Sequence, residues 1–94
     1  MKWSILLVWR IDLTDTAIKQ LSKLDKVEAK RITTFLRQHL AILDNPRSTG
    51  KALTGPLGGL WRYRVGDHRI ICEIQDTVLR VLVVKIGNRR DVYK

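Results

Sequence analysis

Apolar residues occupy every odd position from Trp3 to Leu13, which predicts a β-strand at the start of the chain. Successive side chains of a strand point to opposite faces, so a period of two places the odd residues on one face. Arg10 and Asp12 alternate with them at the far end, which indicates a strand that becomes half exposed there. The alternating apolar residues are Trp3, Ile5, Leu7, Trp9, Ile11 and Leu13.

Apolar residues at helical spacing follow the strand and predict a helical hairpin. Thr14 or Asp15 is a typical helix N-cap. A charged break at residues 25–26 separates two apolar stripes. The second helix is predicted to end before Asn45, because the residue before a proline disfavours the helical backbone. The stripes consist of Ala17, Ile18, Leu21 and Leu24, then Ile32, Phe35, Leu36, Leu40 and Leu43.

The second half of the chain alternates again and predicts three more strands. Residues 46–59 contain both prolines and four of the six glycines and are predicted to form a loop. Alternation begins at Leu60, with turns predicted at Gly66 and Asp67 and at residues 75–77.

The last predicted strand, residues 78–86, is apolar on both sides except at Arg80 and Lys85. That pattern is typical of a central strand covered on both faces. The predicted fold is α+β, in the order β-α-α-β-β-β, with a helical hairpin packed on a twisted antiparallel sheet and the first strand at an edge. The chain of 94 residues is predicted to be a single domain, since domains cluster near about 100 to 150 residues.

The charge of the chain points to a polyanionic partner. Eighteen Lys and Arg residues against nine Asp and Glu residues give a net charge of +9. A small domain this basic typically binds nucleic acid, an anionic membrane surface or an acidic protein. The alternative is a solvated basic surface with no dedicated partner.

Several kinds of chemistry find no support in the sequence. The apolar stretch near the start, residues 3–9, is too short to cross a bilayer, and no membrane partner is predicted. The single cysteine, Cys72, excludes an internal disulfide and suits a reducing cytosol. His39 and His68 do not form a zinc-type ligand spacing with it, and no cofactor or metal is predicted.

The predicted turn at Gly66 and Asp67 fixes which residues face one another in the hairpin. A two-residue loop with Gly first is typical of a type II′ turn. Val65 then pairs with His68, and Arg64 pairs with Arg69.

Three guanidinium groups, those of Arg62, Arg64 and Arg69, are therefore predicted to share one face of this hairpin. Like charges directly opposite on a sheet are destabilising, so they need an anion or an acidic neighbour. Glu73 is a poor candidate, because it lies four residues along from Arg69. The pattern favours a phosphate site, and a solvated cationic face is the alternative.

A second cationic cluster follows the last strand after Gly87. If the last two strands form a hairpin, this tail emerges at the end of the preceding strand that carries Arg69. A tyrosine beside arginines can stack on a base or donate a proton, whereas the alternative is a frayed basic C-terminus. The cluster consists of Arg89, Arg90 and Tyr93.

These residues lie in segments that closely resemble the RelE toxins of the RelE/ParE superfamily. The resemblance covers residues from about 8 to 93, and each segment falls in the expected order and element. It leaves residues 1–7 as an N-terminal extension. The segments are WRIDL (9–13), AIKQL (17–21), KALTG (51–55), GLWRYRVGDHRII (59–71) and IGNRRDVY (86–93).

The resemblance implies a cytoplasmic, ribosome-dependent mRNA endoribonuclease of a toxin–antitoxin pair. Such an enzyme cleaves mRNA in the ribosomal A site without a metal. The 2′-hydroxyl attacks the adjacent phosphate and leaves a 2′,3′-cyclic phosphate and a 5′-hydroxyl. The implied partners are the ribosome with mRNA in its A site and an acidic RelB-type antitoxin.

The resemblance also implies roles for single residues. Arg62 and Arg64 occupy positions that often carry lysines acting on the nucleophile and the scissile phosphate. Arg69 matches a phosphate-binding arginine. Arg89 matches an arginine credited with transition-state stabilisation or leaving-group protonation, and Tyr93 matches a tyrosine that stacks on or positions the mRNA. The residues predicted to bind RNA are Lys51, Arg62, Arg64 and Arg90.

Two departures from the family pattern bear on the mechanism. Asn88 stands where many relatives carry a histidine, and an amide cannot shuttle protons near neutral pH. Arg62 and Arg64 replace lysines, and a guanidinium group in a protein is almost never a free base. The arginines favour charge stabilisation through bidentate donors, which leaves the general base unassigned.

Two other functions remain open on the sequence alone. A ParE-like toxin keeps this fold and acts on a protein such as DNA gyrase, without cutting RNA. A nucleic-acid-binding domain without catalysis is the third hypothesis. The presence together of Arg62, Arg64, Arg69, Arg89 and Tyr93 favours the nuclease, since a protein-binding toxin does not need this set.

Overall fold

A computed structural model of the protein describes residues 9–88, which form two helices and a five-stranded sheet on one side of them. Within this range, no helix combines the length and the hydropathy that spanning a bilayer requires. The helices are α1 (Asp15–Ser22) and α2 (Lys26–Thr34), which continues as a π-helical segment over Phe35–Leu40. The strands are β1 (Arg10–Leu13), β2 (Lys51–Ala52), β3 (Trp61–Val65), β4 (His68–Gln75) and β5 (Arg80–Asn88).

The strand order is β1-β5-β4-β3-β2, so the predicted edge position of the first strand is confirmed. The α+β class and the helical hairpin on a sheet are also confirmed. The sheet is mixed rather than wholly antiparallel, because β1 pairs in parallel with β5. Parallel neighbours need a long crossover, and here the helices and β2–β4 together supply it. The predicted strand residues 3–8 lie outside the described residues.

Strand β2 lies inside the predicted loop and was missed by the hydrophobic pattern. Its two residues, Lys51 and Ala52, pair with Arg62 and Trp61 on β3. A strand this short contains no period of two that a sequence pattern could reveal. It nevertheless forms the second edge of the sheet.

The first helix begins at a predicted cap, Thr14, and the second begins at the predicted charged break. The hydroxyl of Thr14 accepts a hydrogen bond from the backbone N–H of Ala17 at 3.1 Å. The charged break is the second cap, because the Asp25 carboxylate accepts from the N–H of Glu28 at 2.8 Å. Such caps satisfy N–H groups that a helix start leaves unpaired.

The apolar stripes of the helices, except for the exposed Ile18, pack on one face of the sheet and form the core. From the helical side, Ile32 and Leu40 are fully buried, as Val81 and Val83 are from β5. The other face of β5 is only half-buried at Leu82, so the predicted coverage of both faces is incomplete. The core also contains Ala17, Leu36, Tyr63, Val65, Ile70, Cys72 and Ile86.

Burial in this core removes two side chains from acid–base chemistry. Desolvation raises the pKa of the Cys72 thiol, which keeps it protonated and inert. Burial likewise raises the pKa of the Tyr63 hydroxyl. That hydroxyl donates a hydrogen bond to the Pro46 carbonyl at 2.6 Å, so it anchors the loop before β2.

The loop before β2 is tied to the sheet at two further points. The indole N–H of Trp61 donates to the Thr49 carbonyl at 2.8 Å. The Arg47 guanidinium donates two hydrogen bonds to Asp76, at 2.8 and 3.0 Å. These bonds lower the pKa of the Asp76 carboxyl. The Trp61 bond holds the loop, and the strand β2 that follows it, against β3, whereas the Arg47 bonds join the loop to the turn between β4 and β5.

We expect Gly50→Ala to destabilise the fold far more than Gly55→Ala. Both glycines have a positive φ, +79° and +68°, where any other residue is strained. A Cβ at Gly50 would lie 2.4 Å from the Arg62 carbonyl oxygen, whereas one at Gly55 meets nothing within 4 Å. Gly55→Ala should therefore cost about 1 kcal/mol and Gly50→Ala more than about 3 kcal/mol. Urea unfolding measures both, and equal costs would contradict the close packing of the loop on β3.

Candidate active site

The β3–β4 hairpin has the predicted turn and register. Gly66 has a φ of +61°, and Asp67 is not among the residues with positive φ. A positive φ at the first loop position alone is the pattern of a type II′ turn. Val65 pairs with His68 and Arg64 pairs with Arg69, as predicted.

The register places the predicted arginines together on the face of the sheet away from the helices. Tyr63 and Val65 belong to the core, so Arg62 and Arg64, which alternate with them, face the opposite side. Lys51 pairs with Arg62 across β2 and β3. Four predicted site residues line one cavity of about 280 Å³, here named the cationic pocket: Lys51, Arg62, Arg64 and Arg69.

Arg69 is the most buried of these cations. Only 6% of its surface is exposed, and its Nε atom is buried without a hydrogen-bond partner. Its neighbours across the sheet are Arg64 on β3 and Gly87 on β5, which contributes no side chain. A buried, unpaired charge is unfavourable, so an anion in the cationic pocket would relieve this energy.

No acidic side chain neutralises the cationic pocket within residues 9–88, where its three arginines form no ion pair. Glu73 is exposed and accepts a hydrogen bond from Gln75 at 2.6 Å, and its strand partner on β5 is Leu82. The prediction that Glu73 is a poor partner for Arg69 is confirmed. A bound anion would offset the repulsion among these guanidinium groups.

The cationic tail falls beyond the described part of the chain. The strand that leads to it ends beside Arg69, as predicted, although it covers Arg80–Asn88 rather than the predicted residues 78–86. Gly87 pairs with Arg69, and Asn88 pairs with His68 at the end of β5. The predicted hairpin of the last two strands is therefore confirmed. The site residues that lie outside the described residues are Arg89, Arg90 and Tyr93.

Two lining residues of the cationic pocket, Thr49 and Gly50, were missed by the sequence reasoning. The sequence feature that could have indicated them is the glycine directly before Lys51, where the loop backbone closely approaches β3. Neither histidine lines this cavity: His68 lies beside Glu28 on the helical side, and His39 stacks on Phe35. The described residues contain no group of three or more His, Cys, Asp or Glu side chains suited to a metal.

Comparison with known proteins agrees with this fold. Residues 11–93 match the family model of the ParE toxin of the type II toxin–antitoxin system parDE. Toxin RelE of Mycobacterium tuberculosis is 33% identical over 86 residues, which are 92% of this chain and 87% of that toxin. The chain therefore belongs to the RelE/ParE family of toxins of type II toxin–antitoxin systems, and the resemblance drawn from the sequence is confirmed.

Solved structures of the family share the architecture. A chain of the RelBE2 toxin–antitoxin complex from Mycobacterium tuberculosis superimposes with a TM-score of 0.80, at 26% identity, covering 92% of this chain and 97% of that one. A chain of the RelE–RelB complex from Pyrococcus horikoshii gives 0.69 at 26% identity, with 89% and 98% covered. The isolated Escherichia coli RelE toxin, at 19% identity, gives 0.67 over 90% of each chain and supports the fold alone.

We expect Arg69→Met to stabilise the fold although Arg69 lies in the candidate site. The change removes a buried charge that lacks a carboxylate partner and keeps much of its apolar volume. The free energy of unfolding should rise by about 1 kcal/mol or more. The exposed Arg64 provides the control, and Arg64→Met should stay within about 0.5 kcal/mol of the parent. A loss of stability in Arg69→Met would mean that its charge is already compensated.

Proposed function

We propose that this toxin is a ribosome-dependent mRNA endoribonuclease that cleaves mRNA in the ribosomal A site. The observation that carries the proposal is the cationic pocket, in which Lys51 and three arginines converge without an acidic partner within residues 9–88. Phosphodiesters are the polyanion that such a site fits, because guanidinium groups bind phosphate oxygens through paired donors. The 33% identity to a toxin named RelE supports the same activity.

The proposed reaction is an attack by the 2′-hydroxyl of the mRNA on the adjacent phosphorus. A bond forms between the 2′-oxygen and phosphorus, and the bond from phosphorus to the 5′-oxygen breaks. The 2′-hydroxyl loses its proton and the leaving 5′-oxygen gains one, which gives a 2′,3′-cyclic phosphate and a 5′-hydroxyl. Negative charge accumulates on the pentacoordinate phosphate in between, where preorganised donors are most effective.

Each cation has a distinct position for this chemistry. Arg69, held rigidly by burial, is proposed to bind the scissile phosphate. Arg62 and Arg64 lie beside it on β3 and stabilise the developing charge, and Lys51 binds the RNA backbone from the β2 edge. An arginine cannot supply a free base near neutral pH, so the pocket's arginines act by electrostatics and positioning.

The tail residues complete the proposed site. Arg89 is proposed to stabilise the transition state or protonate the leaving group, and Arg90 to bind RNA. Tyr93 is proposed to stack on a base, a contact worth roughly 1–3 kcal/mol. These roles rest on the family resemblance and on the end of β5, which lies beside Arg69.

An antitoxin is the expected neutralising partner of a toxin of this family, and two similar structures are complexes of this kind. We propose an acidic RelB-type protein, because the net charge of +9 favours an acidic partner. The other proposed partner is the ribosome with mRNA in its A site, which places the protein in the cytoplasm.

A ParE-like toxin that acts on DNA gyrase is the second candidate, since the matching family model bears the ParE name. Binding a protein target does not require a buried, unpaired arginine beside two others. Mapping 5′ ends of mRNA after a short induction separates the two functions. Cuts phased with codons support the endoribonuclease, whereas DNA damage without such cuts supports gyrase inhibition.

We expect Arg69→Ala to lower the single-turnover rate of mRNA cleavage on programmed ribosomes by about 10² to 10³, the usual effect of removing a preorganised donor. Arg89→Ala should have a similar effect. Arg37→Ala is the matched control, because it removes the same charge from an exposed position on the π-helical segment. Parental rates in both Arg69→Ala and Arg89→Ala would show that the proposed site is wrong.

A further inference from the structure

The carboxylate of Glu28 connects α2 to the hairpin that carries the cationic pocket. Its Oε2 atom lies 3.3 Å from His68 Nδ1, at the first residue of β4. Its Oε1 atom lies 3.4 Å from Arg31 Nη1, one turn along the helix. The Arg31 guanidinium covers the turn so closely that a Cβ at Gly66 would lie 2.9 Å from Nη1. We name Glu28, Arg31 and His68 the turn clamp.

The turn clamp is screened from water at its centre. The side chains of Glu28 and His68 are only 26% and 13% exposed. His68 Nδ1 is buried and makes no hydrogen bond within the described residues, and the Glu28 carboxylate at 3.3 Å is its ion-pair partner whenever the imidazole is protonated. A carboxylate that is partly shielded from water interacts more strongly with a neighbouring charge than it would in bulk water.

Apolar packing between α2 and the hairpin is incomplete at this point. A cavity of about 460 Å³ opens there, lined in part by Val27, Phe35 and Val65. Val27 lines this cavity from α2 and, although it is apolar, remains 72% exposed. Apolar contacts leave this gap between the helix and the end of the hairpin. The turn clamp links the two elements there through polar side chains.

His68 directly precedes Arg69, and the two side chains project from opposite faces of β4. The backbone of His68 pairs with Val65 on one side and Asn88 on the other. A restraint on the His68 ring therefore restrains the backbone from which Arg69 and its neighbour Arg64 project into the cationic pocket.

We propose that Glu28 and His68 are positioning residues, which act through the hairpin backbone to hold Arg64 and Arg69 at a fixed spacing. The inference rests on the proposed endoribonuclease function and deepens it. A displacement of about 1 Å in a catalytic group can cost about 10²-fold in rate. The exposed Arg31–Glu28 pair and a His68 contact without a hydrogen bond add little to the free energy of unfolding. The turn clamp therefore affects the chemical step more than the folding equilibrium.

Glu28→Gln tests the inference, because it removes the charge and keeps the size of the side chain. We expect kcat for cleavage on programmed ribosomes to fall on the order of tenfold, with KM within about twofold of the parent. The urea unfolding midpoint should stay at the parental value. Glu73→Gln is the matched control, since Glu73 lies on β4 outside the turn clamp, and all three quantities should remain parental.

A double-mutant cycle tests whether Glu28 acts through His68. His68→Gln alone should lower kcat to a similar degree, and the double variant should be no worse than either single variant, since one contact is lost in each case. Independent, additive losses would contradict the link. A fall in kcat that tracks a fall in the unfolding midpoint would indicate a structural role and overturn the proposal.

Failure of this inference is distinguishable from failure of the proposed function. If the parent cleaves mRNA and Glu28→Gln cleaves at the parental rate, the positioning role is wrong and the endoribonuclease function stands. If the parent leaves mRNA intact on programmed ribosomes, both are wrong.

Discussion

The register of the β3–β4 hairpin is the constraint on which the rest of the site depends. Tyr63 and Val65 must face the core, and the period of two then places Arg62 and Arg64 on the opposite face. A slip by one residue would bury two guanidinium groups and expose the core aromatic. The burial of Tyr63 and Val65 therefore also holds the like charges of Arg62 and Arg64 on one face. Arg69 lies on the same face, because Arg64 is its strand partner.

This arrangement lowers the stability of the fold and suits the proposed function. Arg69 is buried beside Arg64 without a carboxylate partner in the described chain, which weakens the fold but leaves the donors free for a phosphate. The loop containing Gly50 closes one side of the pocket through its hydrogen bonds to β3. In the proposed function, an acidic antitoxin would meet the same unbalanced charge, so a single electrostatic property would serve both RNA binding and neutralisation.

The sequence predicted those features that local rules determine. The cap at Thr14, the break between the helices at residues 25–26 and the turn at Gly66 follow from side-chain chemistry within a few residues, and the hairpin register follows from the turn. Strand β2 and the parallel pairing of β1 with β5 were not predictable in this way, because they depend on contacts between distant segments. The contact between Glu28 and His68 could not be predicted from the sequence for the same reason, because it joins α2 to β4. The tail that begins at Arg89 remains a prediction of the family resemblance.

The central claim is that the cationic pocket stabilises attack by an mRNA 2′-hydroxyl, and a substrate change tests it most directly. An mRNA with one 2′-deoxyribose on the 5′ side of the scissile phosphate, presented on programmed ribosomes, lacks the nucleophile and keeps every phosphate. The account predicts parental binding of the toxin, no cleavage at that position, and a 2′,3′-cyclic phosphate end on the all-ribose control. Cleavage of the 2′-deoxy substrate at the parental rate would contradict the claim.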